Sequence, residues 1–377
     1  MEQTILRVDP PYAALDELLR EAGAKTLFLV CDEALRFLRL KDYFDTLETR
    51  LGIRVVRFSD FSPNPAYESV AKGVEAFRQA DTDLILAVGG GSAMDVAKCI
   101  KLFSTLDPGR NYLEQEIAPN GVRLMALPTT AGTGSEATRF AVIYWRGEKQ
   151  SIAHESCIPA TVLIAPDTLA TLPEYQRKST LLDALCHAVE SFWSVNSTEE
   201  SRTCSREAIR TILEHLPEYL ANREKGNEGM LRAANLAGKA INIAQTTAGH
   251  AMCYKLTSLY HVAHGHAAAL CDKAVFPWLA AHTDRCIDPR GEAFLRRTLG
   301  QLAEALGCAA AEEAALRFGQ LADSLALPRP EAKPEDLEVL YRSVNPVRLK
   351  NFPARLEPGD IKALYREILF DQIGDKP

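Results

Sequence analysis

Five short apolar runs, spaced along the first 166 residues, restrict the fold of this chain more than any other feature. Each run ends in small or polar residues, as buried parallel strands do. Helix-like stretches separate the first four runs, which is the βαβ pattern of a doubly wound, mainly parallel sheet. The runs are Thr26–Asp32, Arg54–Ser59, Asp83–Gly91, Arg123–Thr130 and Thr161–Pro166.

The pattern changes after this region. Two alternating runs flank Arg146-Gly147-Glu148 and predict a β-hairpin. From Thr180 onward the sequence is almost entirely helix-periodic, which predicts an all-α bundle. We therefore expect an α/β domain over residues 1–176 and a helical domain over residues 177–377, with the cleft between them as the ligand site.

Composition excludes several classes of function. The 377 residues are 47% hydrophobic and 25% charged, with a net charge of −7 and no long basic run, so nucleic acid is not an expected partner. The apolar stretches are too short to span a bilayer, and the start does not resemble a secretory signal, so we expect a cytoplasmic protein. Nine scattered cysteines predict free thiols.

A strand that ends in three glycines is the first candidate anion site. Gly90, Gly91 and Ser92 open a predicted helix, where free backbone N–H groups can bind a phosphate. Ser92 and Asp95 are also spaced as a helix-capping pair. A tight turn with a good cap is an equally favoured interpretation. At the end of the first strand, Asp32 could accept hydrogen bonds from a ribose, or simply cap a helix.

A second loop of glycine and threonine follows the fourth predicted strand. The hydroxyls of Thr129, Thr130 and Thr133 could bind a phosphate, a ribose or a nicotinamide. A flexible loop of turn-forming residues is the alternative. Because two such loops each follow a strand, where α/β folds bind nucleotides, together they favour a dinucleotide site.

Histidines in the helical half predict a metal site. Asp183 and His187 are four residues apart, hence on one face of a helix, although this pair alone is more simply a structural hydrogen bond. His250 and His264 lie in a segment with four histidines in seventeen residues. If both join the first pair, one carboxylate and three imidazoles suit Fe²⁺, Zn²⁺ or a similar ion.

The motifs "VGGGSAMDVAK", "PTTAGTGSEAT", "DALCHAVES" and "HAMCYKLTSLYHVAHG" in this order resemble the iron-dependent (group III) alcohol dehydrogenase family. The resemblance implies a dehydroquinate synthase-like fold, with a dinucleotide-binding domain and a helical metal domain. It implies reduction of aldehydes or oxidation of alcohols with NAD(P) and a divalent metal, Fe²⁺ first and Zn²⁺ as the alternative. A homodimer is the family expectation.

The resemblance also assigns residues by motif position. The implied metal ligands are Asp183, His187, His250 and His264. The implied dinucleotide contacts are Gly90, Gly91 and Ser92 at the pyrophosphate and Thr129, Thr130 and Thr133 nearer the nicotinamide. Asp32 stands where an acid accompanies a preference for NAD(H) over NADP(H).

One position departs from the family pattern. Many members carry a further histidine four residues after the third ligand, where this chain has Tyr254. The departure leaves the proton donor open among water, Tyr254, His266 and the cofactor ribose.

Three further segments are "RFAVIYWRGEKQSIAH", "ESFWSVNSTEESR" and "HGHAAAL". They resemble the phosphonoacetaldehyde reductase subset of the family, which forms 2-hydroxyethylphosphonate in phosphonate biosynthesis. A phosphonate needs cations and donors beside the aldehyde pocket. Arg139 and Lys255 are the candidate cations, and His154 and Ser258 the candidate donors. The alternative is that the two cations are solvated or pair with Glu136 or Glu190.

Three other functions remain open at this point. A general dehydrogenase of simple alcohols or diols is the nearest alternative. A sugar-phosphate cyclase shares the domain plan but should have more basic residues in the metal cleft. A metal- or nucleotide-sensing protein is the non-enzymatic alternative, and a bound nicotinamide facing an open metal position argues against it.

Overall fold

The computed structural model describes residues 3–370 and divides the chain into two compact units. The first unit extends to Leu172 and also includes Ala221–Leu231, while the second begins at Pro173 and resumes at Arg232. The predicted fold class is confirmed, since an α/β unit with a parallel sheet precedes a helical unit.

The first unit is built on a six-stranded parallel sheet in the order β1-β8-β5-β4-β2-β3. All five predicted strands are present, and the structure adds the edge strand β1. A separate antiparallel pair, β6-β7, is the predicted hairpin. The strands are β1 Thr4–Arg7, β2 Thr26–Cys31, β3 Arg54–Phe58, β4 Leu84–Gly89, β5 Arg123–Pro128, β6 Phe140–Trp145, β7 Glu148–Ala153 and β8 Thr161–Ile164.

Helices cover both faces of this sheet, which makes it doubly wound. Along β2, Leu27 and Leu29 pack into a core with Leu15 of α1 and Phe44 of α2. Phe28 points to the opposite face, where its ring meets Phe77 of α4 edge-on at 5.2 Å between centroids. This alternation is the two-residue period of a strand that is buried on both faces. The helices are α1 Ala13–Glu21, α2 Leu40–Asp45, α3 Leu47–Leu51, α4 Tyr67–Ala80 and α5 Gly91–Phe103.

The second unit packs around one central helix, α6. Every residue of α6 from 181 to 193 is buried, and the helix contacts α7, α9, α10 and α11. A helix that is buried all round belongs to the core of a bundle. The helices after the sheet are α6 Glu174–Trp193, α7 Glu199–Leu220, α8 Glu224–Ala244, α9 Ala248–Tyr260, α10 His264–Ala281, α11 Glu292–Ala305, α12 Ala311–Ser324, α13 Asp336–Ser343, α14 Pro346–Leu349 and α15 Pro358–Leu369.

The structure bears on the predictions about the cysteines and about membrane spans. The nine cysteines are free, and seven of them are buried. Within residues 3–370, no helix has the length and apolar character needed to cross a bilayer.

Candidate metal and dinucleotide sites

The structure brings the four predicted metal-ligand residues together in the helical unit. Asp183 and His187 come from one face of α6, His250 from the first turn of α9, and His264 from the first residue of α10. The Oδ1 atom of Asp183 lies 3.9 Å from Nε2 of His187, 3.8 Å from Nε2 of His250 and 4.0 Å from Nε2 of His264. One carboxylate oxygen therefore lies within 4.0 Å of all three imidazole nitrogens.

A glycine sets the approach of α10 to α6. A Cβ atom on Gly265 would lie 2.1 Å from the backbone oxygen of Ser179 and 2.5 Å from Cβ of Asp183. No side chain fits that space, so the two helices can approach this closely only with glycine here. Gly265 thereby places His264, its neighbour in the chain, beside Asp183.

The donor atoms fit a divalent ion. Asp183, His187 and His250 are buried, and their donor atoms lie within 4.8 Å of one another. Oδ1 of Asp183 and Nε2 of His250 are buried without a hydrogen-bond partner among the described residues. Each such atom costs about 1–3 kcal/mol unless a ligand satisfies it. The side chain of His264 is 38% exposed, so the cluster is open to solvent on that side.

The distances can be compared with those of a metal site. Ligands about 2.1 Å from a tetrahedral ion are separated by about 3.4 Å. The separations of 3.8–4.0 Å from Oδ1 of Asp183 are wider, so the side chains would have to move closer together to hold such an ion. Because the donors are nitrogen and oxygen with no thiolate, the set suits Fe²⁺ or Zn²⁺.

The electrostatics of the cluster favour a positive charge. Burial by itself would raise the pKa of Asp183, but the imidazoles of His187, His250 and His264 hold it below its usual range. Burial lowers the pKa of His250, whereas Glu190 and Asp183 more than reverse this and raise it to about 10. A bound cation would take the place of that proton.

Glu190 is a functional residue that sequence reasoning did not assign to the metal site. Its side chain is fully buried, and Oε1 accepts hydrogen bonds from Nδ1 of His250 and, at 2.9 Å, from the backbone N of His250. Its Oε2 accepts from the hydroxyl of Thr247 at 2.6 Å. Holding Nδ1 leaves Nε2 of His250 for the ion. The oxygens of Glu190 thus accept hydrogen bonds from His250 and Thr247.

A second buried acid stands behind Glu190. Asp272 of α10 is fully buried, and a Cβ atom on Gly249 would lie 2.0 Å from its Oδ1 and 2.8 Å from Oε1 of Glu190. Burial, together with the charge of Glu190, raises the pKa of Asp272 well above its usual value. A neutral carboxylic acid thus stands beside the charged carboxylate that positions His250.

Tyr254 lies at the open side of the cluster. Its ring stacks on that of His264, with centroids 5.8 Å apart and planes 15° apart. Burial raises the pKa of Tyr254, so its hydroxyl keeps its proton at neutral pH. A neutral phenol is a proton donor by its chemistry.

His266 is placed differently from Tyr254. Its Nδ1 lies 3.2 Å from the hydroxyl of Tyr175, which in turn accepts a hydrogen bond from the backbone N of Ala263 at 2.9 Å. Burial lowers the pKa of His266 to about 4, so the ring is neutral. It lines a cavity of about 90 Å³ together with residues such as Lys273 and Glu367, whereas the four metal-ligand residues do not line it in the described chain.

In the α/β unit, the first glycine loop lies where the strand order reverses. From β2 the chain proceeds to β3 on one side, and β4 then pairs with β2 on the other side. Ligands bind at such a switch point in α/β sheets. Asp32 follows β2, and a Cβ atom on Gly89 would lie 2.9 Å from its Oδ2. Oδ1 of Asp32 accepts from the backbone N of Ala34 at 3.0 Å, and burial raises the pKa of Asp32.

The second loop lies directly against the first. Thr129 donates its backbone N–H to the oxygen of Gly89 at 3.0 Å. A Cβ atom on Gly90 would lie 3.3 Å from Oγ1 of Thr130, and one on Gly91 would lie 3.1 Å from Cγ2 of Thr133. The two predicted loops thus converge at the N-terminus of α5.

The predicted capping pair is wrong. Helix α5 begins at Gly91 with Gly90 as its N-cap and has no side-chain cap, so Ser92 is already inside the helix. Asp95 instead accepts from the hydroxyl of Ser135 at 2.9 Å and from the backbone N of Val142 at 3.1 Å. An uncapped helix start keeps its N–H groups available for a phosphate.

Lys98 is a second residue that sequence reasoning missed. Its side chain is fully buried, and Nζ donates to the hydroxyls of Ser135 and Thr138, both at 3.1 Å, and to the backbone oxygen of Phe140 at 2.7 Å. With Asp95 it fixes the end of the second loop. In the sequence, Asp95 and Lys98 are three residues apart in "DVAK", which places both on one face of α5.

The four candidate substrate residues fall into two pairs in different units. In the α/β unit, Arg139 forms an ion pair with Glu155 at 2.6 Å, and Nδ1 of His154 lies 2.8 Å from the hydroxyl of Ser156. In the helical unit, the hydroxyl of Ser258 donates to the backbone oxygen of Lys255 at 3.2 Å.

Comparison with known proteins shows the family. The model of the iron-containing alcohol dehydrogenase family matches residues 8–166, and the C-terminal model of the Fe-containing alcohol dehydrogenase family matches residues 178–369. A phosphonoacetaldehyde reductase of Streptomyces viridochromogenes is 33% identical over 324 residues, which are 80% of this chain and 80% of that protein. An NAD-dependent methanol dehydrogenase of Bacillus methanolicus is 29% identical, over 86% of this chain and 87% of that protein.

A solved structure shares the fold. The sulfoacetaldehyde reductase of Bifidobacterium kashiwanohense, solved in complex with NAD⁺, superposes with a TM-score of 0.85 at 24% identity and covers 98% of both chains. Together, the fold, the site and the matches define an NAD(P)-dependent oxidoreductase of alcohols and aldehydes that uses a divalent metal, typically iron. The chain belongs to the iron-containing alcohol dehydrogenase family.

Proposed function

We propose that the protein reduces phosphonoacetaldehyde to 2-hydroxyethylphosphonate with NADH. The observation that carries this proposal is the 33% identity, over 80% of the chain, to a phosphonoacetaldehyde reductase. The reaction is balanced as aldehyde plus NADH plus one proton giving alcohol plus NAD⁺. The proposal includes a role in phosphonate biosynthesis, a cytoplasmic location and a homodimer.

The metal-ligand set is part of the same proposal. Asp183, His187, His250 and His264 would hold the ion, and Glu190 would keep Nε2 of His250 directed at it. When bound, a divalent ion supplies a Lewis acid for the carbonyl oxygen and the reduced nicotinamide supplies the hydride. The buried walls of the cluster exclude water from three of its ligands, which strengthens each electrostatic contact.

The proton is assigned to Tyr254. Its hydroxyl is protonated at neutral pH, and its ring stacks on His264 at the exposed side of the cluster. His266 is the weaker candidate for the proton donor. Its ring is hydrogen-bonded to Tyr175 and lines a cavity that the four metal-ligand residues do not line. Tyr254 thus takes the position where relatives with a histidine would have an imidazole.

Dinucleotide binding is proposed for the converging loops. Gly90, Gly91 and Ser92 would bind the pyrophosphate at the start of α5, and Thr129, Thr130 and Thr133 would lie nearer the nicotinamide. Asp32, at the switch point, would accept hydrogen bonds from the ribose and repel a 2′-phosphate.

A general dehydrogenase of small alcohols is the second candidate. It is favoured by relatives of similar identity, among them a long-chain-alcohol dehydrogenase of Geobacillus thermodenitrificans at 31% over 69% of this chain. Steady-state rates of NADH oxidation with phosphonoacetaldehyde, acetaldehyde and butyraldehyde separate the two. The proposal expects the highest kcat/KM for the phosphonate, whereas equal or higher values for the neutral aldehydes would favour the second candidate.

A further inference from the structure

Arg348 is a half-buried cation near the C-terminal end of the described chain. It lies on the short helix α14 in the helical unit, and Nη1 donates to Oε1 of Gln245 at 2.9 Å. Among the described residues, no carboxylate lies within ion-pair distance of its guanidinium. A guanidinium has five N–H donors, so most of them remain for another acceptor.

Arg348 is close to the open side of the metal cluster. The backbone N of Asn345, three residues before it, donates to the oxygen of Ala251, which follows His250 in α9. Burial raises the pKa of Tyr254, and the nearby charge of Arg348 partly offsets that effect. The ring of Tyr254 in turn stacks on His264, the ligand residue that is 38% exposed. Tyr254 therefore neighbours both a ligand residue of the cluster and the guanidinium.

The segments that carry Arg348 are fixed in place. The backbone N of Asn345 donates to the oxygen of Ala251 in α9, and the side chain of Asn345 caps α14 by accepting from Val347 at 2.9 Å. Gln245, the acceptor for Arg348, has a left-handed φ of 58°, which a residue other than glycine adopts only when its surroundings hold it. The guanidinium is thus positioned before any ligand arrives.

Arg139 and Lys255, the other candidate cations, are less suited than Arg348 to bind the phosphonate group. Arg139 already has Glu155 at 2.6 Å, so a ligand would have to compete with that carboxylate. Lys255 is a flexible ammonium, which gives a point charge rather than the planar fork that matches two oxygens of a phosphonate.

We propose that Arg348 binds the oxyanion group of the substrate while its aldehyde end lies at the metal cluster. The proposal rests on the proposed function and extends it, because it names the residue that selects an aldehyde with a tetrahedral oxyanion on the adjacent carbon. Tyr254 then lies between the two ends of the substrate, where its hydroxyl can meet either.

The test compares two substrates in matched variants. Arg348→Gln keeps polar atoms but removes the charge, Arg348→Lys keeps the charge but removes the fork, and Arg342→Gln is a control on the exposed surface of α13. The measured quantity is the ratio of kcat/KM for phosphonoacetaldehyde to that for acetaldehyde. Arg348→Gln should lower this ratio by about tenfold to a hundredfold, the usual effect of losing a charged hydrogen bond.

Arg348→Lys should give an intermediate ratio, and Arg342→Gln should keep the wild-type ratio. Calorimetric titration with 2-hydroxyethylphosphonate gives a second readout, in which Arg348→Gln should bind about tenfold or more weakly than wild type. Thermal melting of each variant detects a folding defect, which would depress both substrates together and leave the ratio unchanged.

The outcomes separate the two proposals. If the wild type prefers phosphonoacetaldehyde and Arg348→Gln keeps both that preference and the product affinity, the assignment of Arg348 is overturned while the proposed function stands. If the wild type has no preference for the phosphonate, the proposed function fails, and the role of Arg348 fails with it.

Discussion

Glu190 holds both nitrogens of His250 that face away from the metal cluster, the ring Nδ1 and the backbone N, on a single carboxylate oxygen. This contact fixes the tautomer and the direction of the imidazole, so Nε2 must face Asp183. The metal site is therefore shaped by a residue that provides no ligand itself.

Replacing Glu190 should weaken metal binding. Glu190→Gln removes the charge that raises the basicity of His250, and we expect the metal Kd to rise by about tenfold to a hundredfold. The measurement is titration of the metal-free protein with Fe²⁺ or Zn²⁺ under anaerobic conditions. Glu304→Gln, at an exposed position of α11, is the control. Unchanged affinity in Glu190→Gln would contradict the role of this contact.

Removing one metal-ligand residue should weaken metal binding more than replacing Glu190 does. His264→Ala should lose bound metal and more than about a hundredfold of kcat, since even indirect contacts to a ligand are worth up to that factor. His261→Asn is the control, because His261 has a left-handed φ of 54° that asparagine tolerates. Metal analysis and circular dichroism are run on both variants. Near-normal metal content in His264→Ala would show that the ligand set is wrong.

Gly265 should be intolerant of any side chain. Gly265→Ala places a methyl group against the oxygen of Ser179 and Cβ of Asp183, and the resulting shift of α10 should cost about 1–3 kcal/mol. Gly300→Ala in α11, where a Cβ meets nothing within 4 Å, should instead stabilise by about 0.5–1 kcal/mol. Urea unfolding of both variants measures these changes. Equal stability of the two would refute the close approach of α10 to α6.

Asp32 should set the cofactor preference. In Asp32→Asn the capping oxygen remains but the charge is lost, so the ratio of kcat/KM for NADH to that for NADPH should fall by about tenfold. Asp81→Asn, at an exposed left-handed position, is the control. If the wild type used NADPH as well as NADH, the carboxylate of Asp32 would not be what selects between the two cofactors.

The preference for NADH over NADPH should depend on pH. Burial raises the pKa of Asp32, so its carboxylate is neutralised at a higher pH than an ordinary aspartate. As the pH falls through that pKa, the repulsion of a 2′-phosphate disappears, and the NADH preference of the wild type should decrease. In Asp32→Asn the ratio should stay constant over the same pH range, and a parallel change in both proteins would exclude Asp32 as the cause.

Much of the fold could be predicted from the sequence because parallel strands that are buried on both faces are continuous apolar runs. Strand β1, Thr4–Arg7, was missed since its four residues lie at the edge of the sheet and both of its ends are exposed. The capping pair of Ser92 and Asp95 failed for another reason. Its spacing fits a helix start, but Gly90 already occupies the N-cap position, and Asp95 is used to fix the following loop.

The candidate site was only partly predictable. The spacing of Asp183 and His187 shows that they share a helix face, and Glu190, three residues after His187, continues that face and could have been added. Asp272 and Arg348 could not, because their significance comes from helices that meet only in the folded unit. Nothing in the sequence near Arg348 indicates that Gln245 would be its neighbour, 103 residues away.

The most direct test of the account is NADH oxidation with phosphonoacetaldehyde before metal removal, after chelation, and after anaerobic addition of Fe²⁺. A metal-dependent reductase should turn over in the first state, lose activity in the second and recover it in the third, with the bound metal following the rate. Undiminished turnover in the chelated protein, or no turnover with any aldehyde when the metal is restored, would contradict a metal-dependent reductase.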